Sequence, residues 1–234
     1  MCIRDRFQAV IFDMDGVIVD SEPSHERAFL EVMRELGYGD THGLRFADYV
    51  GRPDEVLWQD FIARHHPPQS NEELLALKTR RVVEIIRRDQ PVFAGVAELI
   101  EQLAARYVLA LASGSERQIV REVLGLKGLG RFFSASVAGS EVRHGKPAPD
   151  IFLRAAEMIR VPPRACCVIE DSKPGIAAGL AAGMEVIAIT NTHPADELRD
   201  ATHIVRTYSE IQHLLLGPQR RCANRVPDTR THSG

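Results

Sequence analysis

Short apolar runs alternate with amphipathic segments along most of the chain. Residues 9–12, 107–112, 166–169 and 185–189 form runs with the length and apolar content of strands that are buried on both faces. Between these runs, apolar residues recur at helical spacing, as they do in residues 150–158. Alternating strands and helices predict an α/β fold built on a doubly wound parallel sheet.

Residues 20–88 interrupt this alternation, because they contain helical patterns and no convincing buried strand. The stretch is too long for a single crossover helix between neighbouring strands. We therefore expect a Rossmann-like core made of residues 1–19 and 89–216, with residues 20–88 inserted as an α-helical cap. Residues 217–234 are rich in Arg, Pro, Asn and Ser without an apolar period, which predicts a disordered tail.

The amino-acid composition limits which binding partners and which cellular compartment we expect for this protein. The 234 residues are 44% hydrophobic and 26% charged, as in globular proteins, and the net charge of −3 provides no basic excess for binding nucleic acid. No apolar run has the length of a membrane span, and the first residues lack the apolar core of a signal peptide. The four cysteines form neither a disulfide framework nor a Cys-x-x-Cys metal pattern, so we expect a cytoplasmic protein without nucleic-acid or membrane partners.

Two carboxylates follow the first apolar run. Asp13 and Asp15 are separated by one residue and are followed by Gly16. Because residues two apart in an extended chain point to the same side, the two carboxylates could converge. Their mutual repulsion would then require a divalent cation or a shared proton. The alternative is a strand that ends in a solvated acidic turn.

Polar residues also follow later strands and loops, at Ser113 and Ser115, Lys146, Glu170 and Asp171. The carboxyl ends of parallel strands share one edge of a sheet, so these side chains are expected near Asp13. Each of these residues alone could instead have a purely structural role. Ser113 could cap the end of a strand, Lys146 could be a surface lysine, and Glu170 and Asp171 could be acidic residues at a helix N-terminus.

One chemical inventory explains these groups together, namely attack by a carboxylate on a phosphate ester. Mg²⁺ held by Asp13, Asp171 and a backbone carbonyl would mask the repulsion between nucleophile and substrate. Lys146 would neutralise phosphoryl oxygens, and Ser113 with the backbone N–H groups from Gly114 onward would bind another oxygen. Asp15 would donate a proton to the leaving oxygen and later accept one from water.

The sequence Asp13-Met14-Asp15-Gly16, with Ser113, Lys146 and Glu170-Asp171 following in that order, resembles the haloacid dehalogenase superfamily over residues 8–216. The inserted helices resemble the cap of the subfamily that contains β-phosphoglucomutase and many sugar-phosphate phosphatases. The resemblance implies that Asp13 is the phosphorylated nucleophile, that Asp15 is the acid/base, and that Ser113 and Lys146 bind the phosphoryl group. It implies a Mg²⁺ site among the acidic residues Asp13, Asp15, Glu170 and Asp171, with Glu170 either a ligand or a neighbour of the ligands.

Three further residues are candidates for substrate contact. His25 resembles the hinge histidine of β-phosphoglucomutase, and Gly51 and Arg52 head a predicted cap loop that would face the site. The mutase cap carries Gly-x-x-Arg, whereas Asp54 stands three residues after Gly51 here, which disfavours a mutase. His25 and Arg52 could also be only capping or surface residues.

Three functions remain to be separated. The leading hypothesis is a Mg²⁺-dependent phosphatase that hydrolyses small phosphorylated metabolites, such as sugar or polyol phosphates, through an aspartyl-phosphate. The alternatives are a hexose-phosphate mutase and a non-catalytic phosphate-binding protein, the last of which is disfavoured because both Asp13 and Asp15 are present. We expect a monomer or a weak dimer.

Overall fold

The computed structural model describes residues 6–49 and 54–217. Its centre is a sheet of parallel strands in the order β3-β2-β1-β4-β5-β6. The strands are β1 (Ala9–Phe12), β2 (Val108–Ala112), β3 (Ala135–Val137), β4 (Cys166–Glu170), β5 (Glu185–Ile189) and β6 (His203–Val205). This order confirms the predicted doubly wound, Rossmann-like α/β fold.

Eight α-helices are present in the described ranges. They are α1 (Glu22–Glu35), α2 (Asp54–His65), α3 (Asn71–Asp89), α4 (Val96–Ala104), α5 (Arg117–Gly125), α6 (Asp150–Met158), α7 (Lys173–Ala181) and α8 (Tyr208–Leu216). None of these helices is long and apolar enough to cross a membrane. Side-chain caps mark several starts, as where Ser172 Oγ accepts from the N–H of Gly175 at α7.

The two faces of the sheet carry different helices. Along β1, the side chains of Val10 and Phe12 join the apolar cluster beneath α4, α5 and α8, whereas Ala9 and Ile11 join the cluster beneath α6 and α7. Side chains of a strand alternate between faces, so a strand buried on both sides must be apolar throughout. This is why the strands could be recognised as uninterrupted apolar runs.

The strand β1 lies where the order of the sheet changes direction. Phe12 pairs with Leu111 of β2 on one side and with Ile169 of β4 on the other. The chain leaves these neighbours toward opposite faces, and the crevice that results beyond β1 is the usual ligand position in such sheets. Asp13 is the first residue in that crevice.

The helices α1, α2 and α3 lie between β1 and β2 along the chain. Phe29, Trp58, Phe61 and Leu74 belong to an apolar cluster that these helices form among themselves. The later residues of α3, from Val82 onward, pack instead into the cluster on the α5 side of the sheet. The helix α3 therefore spans both clusters.

The two chain crossings that lead into and out of these helices lie side by side. The N–H of Asp20 donates to the carbonyl of Pro91 at 2.9 Å, and the N–H of Phe93 donates to that of Ile18 at 3.0 Å. The crossings are thus paired through backbone hydrogen bonds. The predicted division into core and cap at residues 20 and 88 stays a prediction.

Some local features were not predicted from the sequence or lie outside the described residues. Residues 135–137 form the edge strand β3, which the sequence pattern did not predict because it is only three residues long and includes Ser136. The helix α5 ends at Gly125, and a 3₁₀ segment (Leu126–Phe132) follows it. The tail predicted to be disordered lies outside the described residues except for Gly217.

Candidate active site

Asp13 lies at the carboxyl end of β1, where its N–H donates to the carbonyl of Ile169 at 2.9 Å. Its side chain is buried, and Oδ1 lies 2.7 Å from Nζ of Lys146. The turn that follows depends on Gly16, which has a φ of +74°. A Cβ atom at Gly16 would stand 1.9 Å from Oδ2 of Asp171, so this glycine also lets the acidic side chains approach the turn.

Three buried carboxylates meet in the crevice. One oxygen from each of Asp13, Glu170 and Asp171 lies within 4.8 Å of the others. Burial raises the pKa of Asp13 well above its ordinary value, because the attraction of Lys146 only partly offsets the loss of solvation. Burial and the charge of Glu170 raise the pKa of Asp171 to about 7. Three ionised carboxylates here would carry more negative charge than the adjacent lysine balances, which is a further reason why these pKa values are raised.

Lys146 is the cation of this cluster. Its Nζ lies 2.7 Å from Oδ1 of Asp13 and 2.5 Å from Oε1 of Glu170. Burial works against the charge of the ammonium group, but the two carboxylates outweigh it and raise the pKa of Lys146. The side chain is therefore a fixed positive charge beside Asp13.

Both oxygens of Glu170 already have protein partners. Oε1 contacts Lys146, while Oε2 accepts from the N–H of Asp171 at 2.6 Å and from the N–H and hydroxyl of Ser172 at 2.7 and 3.0 Å. A Cβ atom at Gly175 would stand 1.6 Å from Oε1, so the N-terminus of α7 can approach Glu170 only with a glycine there. In this arrangement Glu170 anchors Lys146 and the turn that carries Asp171.

Asp15 lies beside the cluster and is held by hydroxyl groups. Its Oδ1 accepts from Ser21 at 2.5 Å, and its Oδ2 accepts from Ser113 at 3.0 Å and Ser115 at 2.7 Å. The N–H of Ser115 donates in turn to Oγ of Ser113 at 3.0 Å. Because hydrogen bonds to a carboxylate fix its orientation, Asp15 is presented in one defined position.

The predicted phosphate-binding turn lies next to Asp15. Ser113 is fully buried at the end of β2, whereas Gly114 is exposed and has open space where a side chain would stand. A Cβ atom at Gly139 would stand 2.2 Å from the carbonyl oxygen of Gly114, so the neighbouring loop packs directly on the backbone of this turn. The structure thus brings Ser113, Gly114 and Asp15 together.

The carboxylate cluster fits a hard divalent cation. Apart from its contact with the Lys146 ammonium, Oδ1 of Asp13 is a buried oxygen that receives no well-oriented hydrogen bond from any described residue. Carboxylate oxygens are the ligands that Mg²⁺ prefers, and an ion here would offset the excess negative charge. The carboxylate of Asp15, also predicted to bind metal, is not part of the cluster.

A second buried cation lies in the inserted helices, within electrostatic range of Asp15. Lys78 of α3 is fully buried, pairs with the carboxylate of Asp54 and lies 3.4 Å from Nδ1 of His25. Burial, followed by the charge of Lys78, lowers the pKa of His25, so its ring is neutral near pH 7. Asp15 is close enough to act on both His25 and Lys78 electrostatically. Gly51 and Arg52 lie outside the described residues.

Known proteins share this arrangement of sequence and fold. A family model described as haloacid dehalogenase-like hydrolase matches residues 7–183. This chain belongs to the haloacid dehalogenase-like hydrolases. The match confirms the family that the four motifs predicted.

Two curated relatives of this hydrolase are sugar-phosphate or polyol-phosphate phosphatases by name. Fructose-1-phosphate phosphatase YqaB of Escherichia coli strain K12 is 33% identical over 186 residues, which are 79% of this chain and 97% of that protein. Hexitol phosphatase B of the same strain is 31% identical over 199 residues, or 84% and 88% of the two chains. The crystal structure of CbbY from Rhodobacter sphaeroides in complex with phosphate matches with a TM-score of 0.74 and 25% identity, covering 88% of this chain and 96% of that one.

Several residues of this haloacid dehalogenase-like site had no predicted role. Ser21 and Ser115 hold Asp15, and a pattern of strand and helix ends alone does not distinguish such hydroxyls from caps. Lys78 stands at a polar position of an amphipathic helix and therefore resembles a solvent-exposed residue in sequence. The sequence singled out Asp54, because it stands where the mutase pattern has arginine, but it gave no sign that Lys78 is the partner of Asp54.

Proposed function

We propose that this hydrolase is a Mg²⁺-dependent phosphatase of small phosphorylated metabolites, with sugar or polyol phosphates as its substrates, and that it acts in the cytoplasm. The observation that carries the proposal is the placement of Asp13 in the crevice. Oδ1 of Asp13 contacts the Lys146 ammonium, and the carboxylate of Asp171 lies in the same cluster. Asp15 stands beside it in a fixed orientation.

Asp13 is the nucleophile in this proposal. Its carboxylate oxygen attacks phosphorus, and the bond from phosphorus to the ester oxygen breaks to give an aspartyl-phosphate. Lys146 lies close enough to neutralise a phosphoryl oxygen while it pairs with Asp13. The N–H groups of the turn at Gly114 supply donors for another oxygen, and Ser113 can add its own once its hydroxyl turns from Asp15 toward the phosphoryl group.

Asp15 moves the protons. It gives a proton to the leaving alkoxide in the first step and takes one from the attacking water in the second, which returns Asp13 and releases inorganic phosphate. The three hydroxyls that hold Asp15 keep its carboxylate aimed while its charge changes. The predicted acid/base role therefore has a structural support in Ser21, Ser113 and Ser115.

Asp13 and Asp171 would hold Mg²⁺ through their carboxylates, with Glu170 supporting them through Lys146 and the α7 turn. When bound, the ion supplies positive charge that lets an anionic ester approach an anionic nucleophile. The pKa of Asp13, which burial raises, makes such a partner necessary, since only the ionised carboxylate attacks.

The charges around the substrate's remote end favour a phosphatase over a mutase. Asp54 stands where the mutase pattern has arginine, and its carboxylate is paired with Lys78. Burial raises the pKa of Glu116, next to Ser115, and the charges of Glu55 and Asp54 raise it further, so these acids lie near one another. An anionic second phosphate would be repelled there, whereas hydroxyl groups of a sugar or polyol could donate to the acids.

We also propose that the helices of residues 20–88 act as a cap over the substrate. The paired crossings at Asp20 and Pro91 would carry the movement, and Lys78 with His25 would face the closed site. Gly51 and Arg52 stay candidate substrate contacts in this proposal. A monomer or weak dimer suffices, because all the proposed catalytic groups come from one chain.

A substrate panel tests the proposal. The purified protein is incubated with Mg²⁺ and fructose 1-phosphate, a hexitol phosphate or β-glucose 1-phosphate, and inorganic phosphate and isomeric sugar phosphates are measured together. Release of phosphate without added bisphosphate supports the phosphatase. Conversion of glucose 1-phosphate to glucose 6-phosphate that depends on bisphosphate would establish the mutase instead, and phosphate binding without turnover would establish a binding protein.

A further inference from the structure

Thr192 reaches Asp171 from a loop that carries none of the predicted site residues. It follows β5, and its Oγ1 donates a hydrogen bond to Oδ2 of Asp171. The same hydroxyl oxygen lies 2.8 Å from Nδ1 of His193, which can donate to it. When Nδ1 of His193 carries its proton, the Thr192 hydroxyl accepts from His193 and donates to Asp171, and these two contacts together fix its direction.

The loop itself is tied to the turn after Asp15. Nδ2 of Asn191 donates to the carbonyl of Gly16 and to the hydroxyl of Tyr208, both at 2.8 Å. The hydroxyl of Tyr208 donates in turn to the carbonyl of Val17 at 2.8 Å. The residue before Thr192 is therefore anchored to the turn that carries Gly16, and Thr192 has little freedom to move away from Asp171.

Among the described residues, Thr192 is the side chain that hydrogen-bonds to the carboxylate of Asp171. On the other side, the bare Cα of Gly16 gives the carboxylate room, since a Cβ atom there would stand 1.9 Å from Oδ2 of Asp171 and 3.0 Å from Cγ2 of Thr192. Gly16, Thr192 and Asp171 thus pack as one unit. A change at Thr192 would release the rotation of the Asp171 carboxylate without touching Asp13 or Lys146.

We propose that Thr192 is a positioning residue that orients the Asp171 carboxylate for the divalent cation and thereby sets the affinity of the site for Mg²⁺. This inference rests on the Mg²⁺ site of the proposed function. A carboxylate that is already held pays no further rotational entropy when it binds the ion. Outer partners of metal ligands typically change metal affinity by about 10- to 100-fold when they are removed.

Binding of Mg²⁺ to the substrate-free protein tests this directly. Isothermal titration is carried out on the wild type, on Thr192→Val, which keeps the shape and removes the hydroxyl, and on Thr192→Ser, which keeps the hydroxyl. We expect Thr192→Val to bind Mg²⁺ about tenfold more weakly and Thr192→Ser to stay within about twofold of the wild type. Thr190→Val, in the same loop, controls for the loss of a threonine hydroxyl.

A kinetic experiment adds a readout that simple damage to the fold would not give. In Thr192→Val, the Mg²⁺ concentration for half-maximal phosphatase activity should rise about tenfold, while kcat at saturating Mg²⁺ should stay within about threefold of the wild type. Unchanged Mg²⁺ affinity in Thr192→Val, or an equal loss in Thr192→Ser, would overturn the inference while leaving the phosphatase proposal intact. A wild type that binds no Mg²⁺ would overturn the proposed metal site itself.

Discussion

The ammonium nitrogen of Lys146 lies 2.7 Å from Oδ1 of Asp13, and the same nitrogen lies 2.5 Å from Oε1 of Glu170. One largely buried cation therefore joins the proposed nucleophile to the residue that anchors the α7 turn. Removing it would leave two buried carboxylates facing each other without compensation. This makes Lys146 important for stability as well as for binding a phosphoryl group.

The variant Lys146→Met should separate these two roles. Without Mg²⁺, breaking a buried ion pair from one side is expected to lower the free energy of unfolding by about 3–5 kcal/mol. The double variant Lys146→Met/Glu170→Gln removes one of the two unpaired carboxylates as well, so it should recover part of that stability but none of the activity. Urea unfolding and phosphate release measure the two effects, and a double variant as unstable as the single one would contradict the ion-pair account.

The stabilisation by Mg²⁺ should depend on pH. In the metal-free protein the pKa of Asp171 is raised to about 7, against about 4 for an ordinary aspartate, so folding takes up a proton between these values. The metal-free protein should therefore lose stability as the pH rises from about 4 to about 7, because only the unfolded state can ionise this carboxyl freely.

Adding Mg²⁺ should reverse this loss, since the ion binds the ionised carboxylate. The gain in unfolding free energy caused by Mg²⁺ should grow as the pH rises through about 7 and be small at pH near 5.5. Unfolding curves with chelator and with Mg²⁺ at each pH give this difference directly, and Asp171→Asn is the matched control. An equal Mg²⁺ effect at the two ends of the range would argue against Asp171 as a ligand.

Substrate choice should respond to the charge at Glu116. Replacing it by glutamine removes a negative charge from the acidic group that Glu116 forms with Asp54 and Glu55, which we propose to lie at the remote end of the substrate, and this would favour a second anionic group. We expect Glu116→Gln to raise kcat/KM for fructose 1,6-bisphosphate relative to fructose 1-phosphate by about 3- to 10-fold, as for one charge acting through partly screened surroundings. Glu101→Gln, an exposed acid on α4, should leave the ratio unchanged. The same ratio in Glu116→Gln as in the wild type would place Glu116 away from the substrate.

Much of the candidate site could be predicted from the sequence, because a parallel sheet places the carboxyl ends of all its strands at the same edge. Asp13, Ser113 and Asp171 follow apolar runs, and a parallel sheet must bring such residues together wherever the runs are correctly identified. Lys146 was found through its place in the motif order, since it follows no predicted strand. These residues meet in the structure as expected.

The residues that escaped prediction are those whose roles depend on tertiary contacts. Lys78 has the polar character of an exposed helix position, yet the packing of α1, α2 and α3 buries it against Asp54. Thr192 lies in a loop without apolar periodicity, so only the folded chain shows that it reaches Asp171. The partners of Glu170 could not be anticipated either, because they are mainly backbone groups of the turn that follows it.

Asp13 carries the phosphoryl group in the proposed reaction, while Asp15 moves the protons. The variant Asp15→Asn tests it with p-nitrophenyl phosphate, whose leaving group is acidic enough to depart without a proton donor. The first step should then proceed, whereas attack by water should be slow because its general base is missing. The phosphorylated protein should accumulate.

The decisive measurement combines a rapid burst with identification of the modified residue. On mixing Asp15→Asn with p-nitrophenyl phosphate and Mg²⁺, we expect release of about one nitrophenolate per protein molecule, followed by very slow turnover. Acid quenching, borohydride reduction and mass spectrometry of the peptides should then locate the acyl phosphate at Asp13, and Asp13→Asn/Asp15→Asn should show no burst. A burst with the phosphoryl group on another residue, or steady turnover by Asp13→Asn, would rule out Asp13 as the nucleophile.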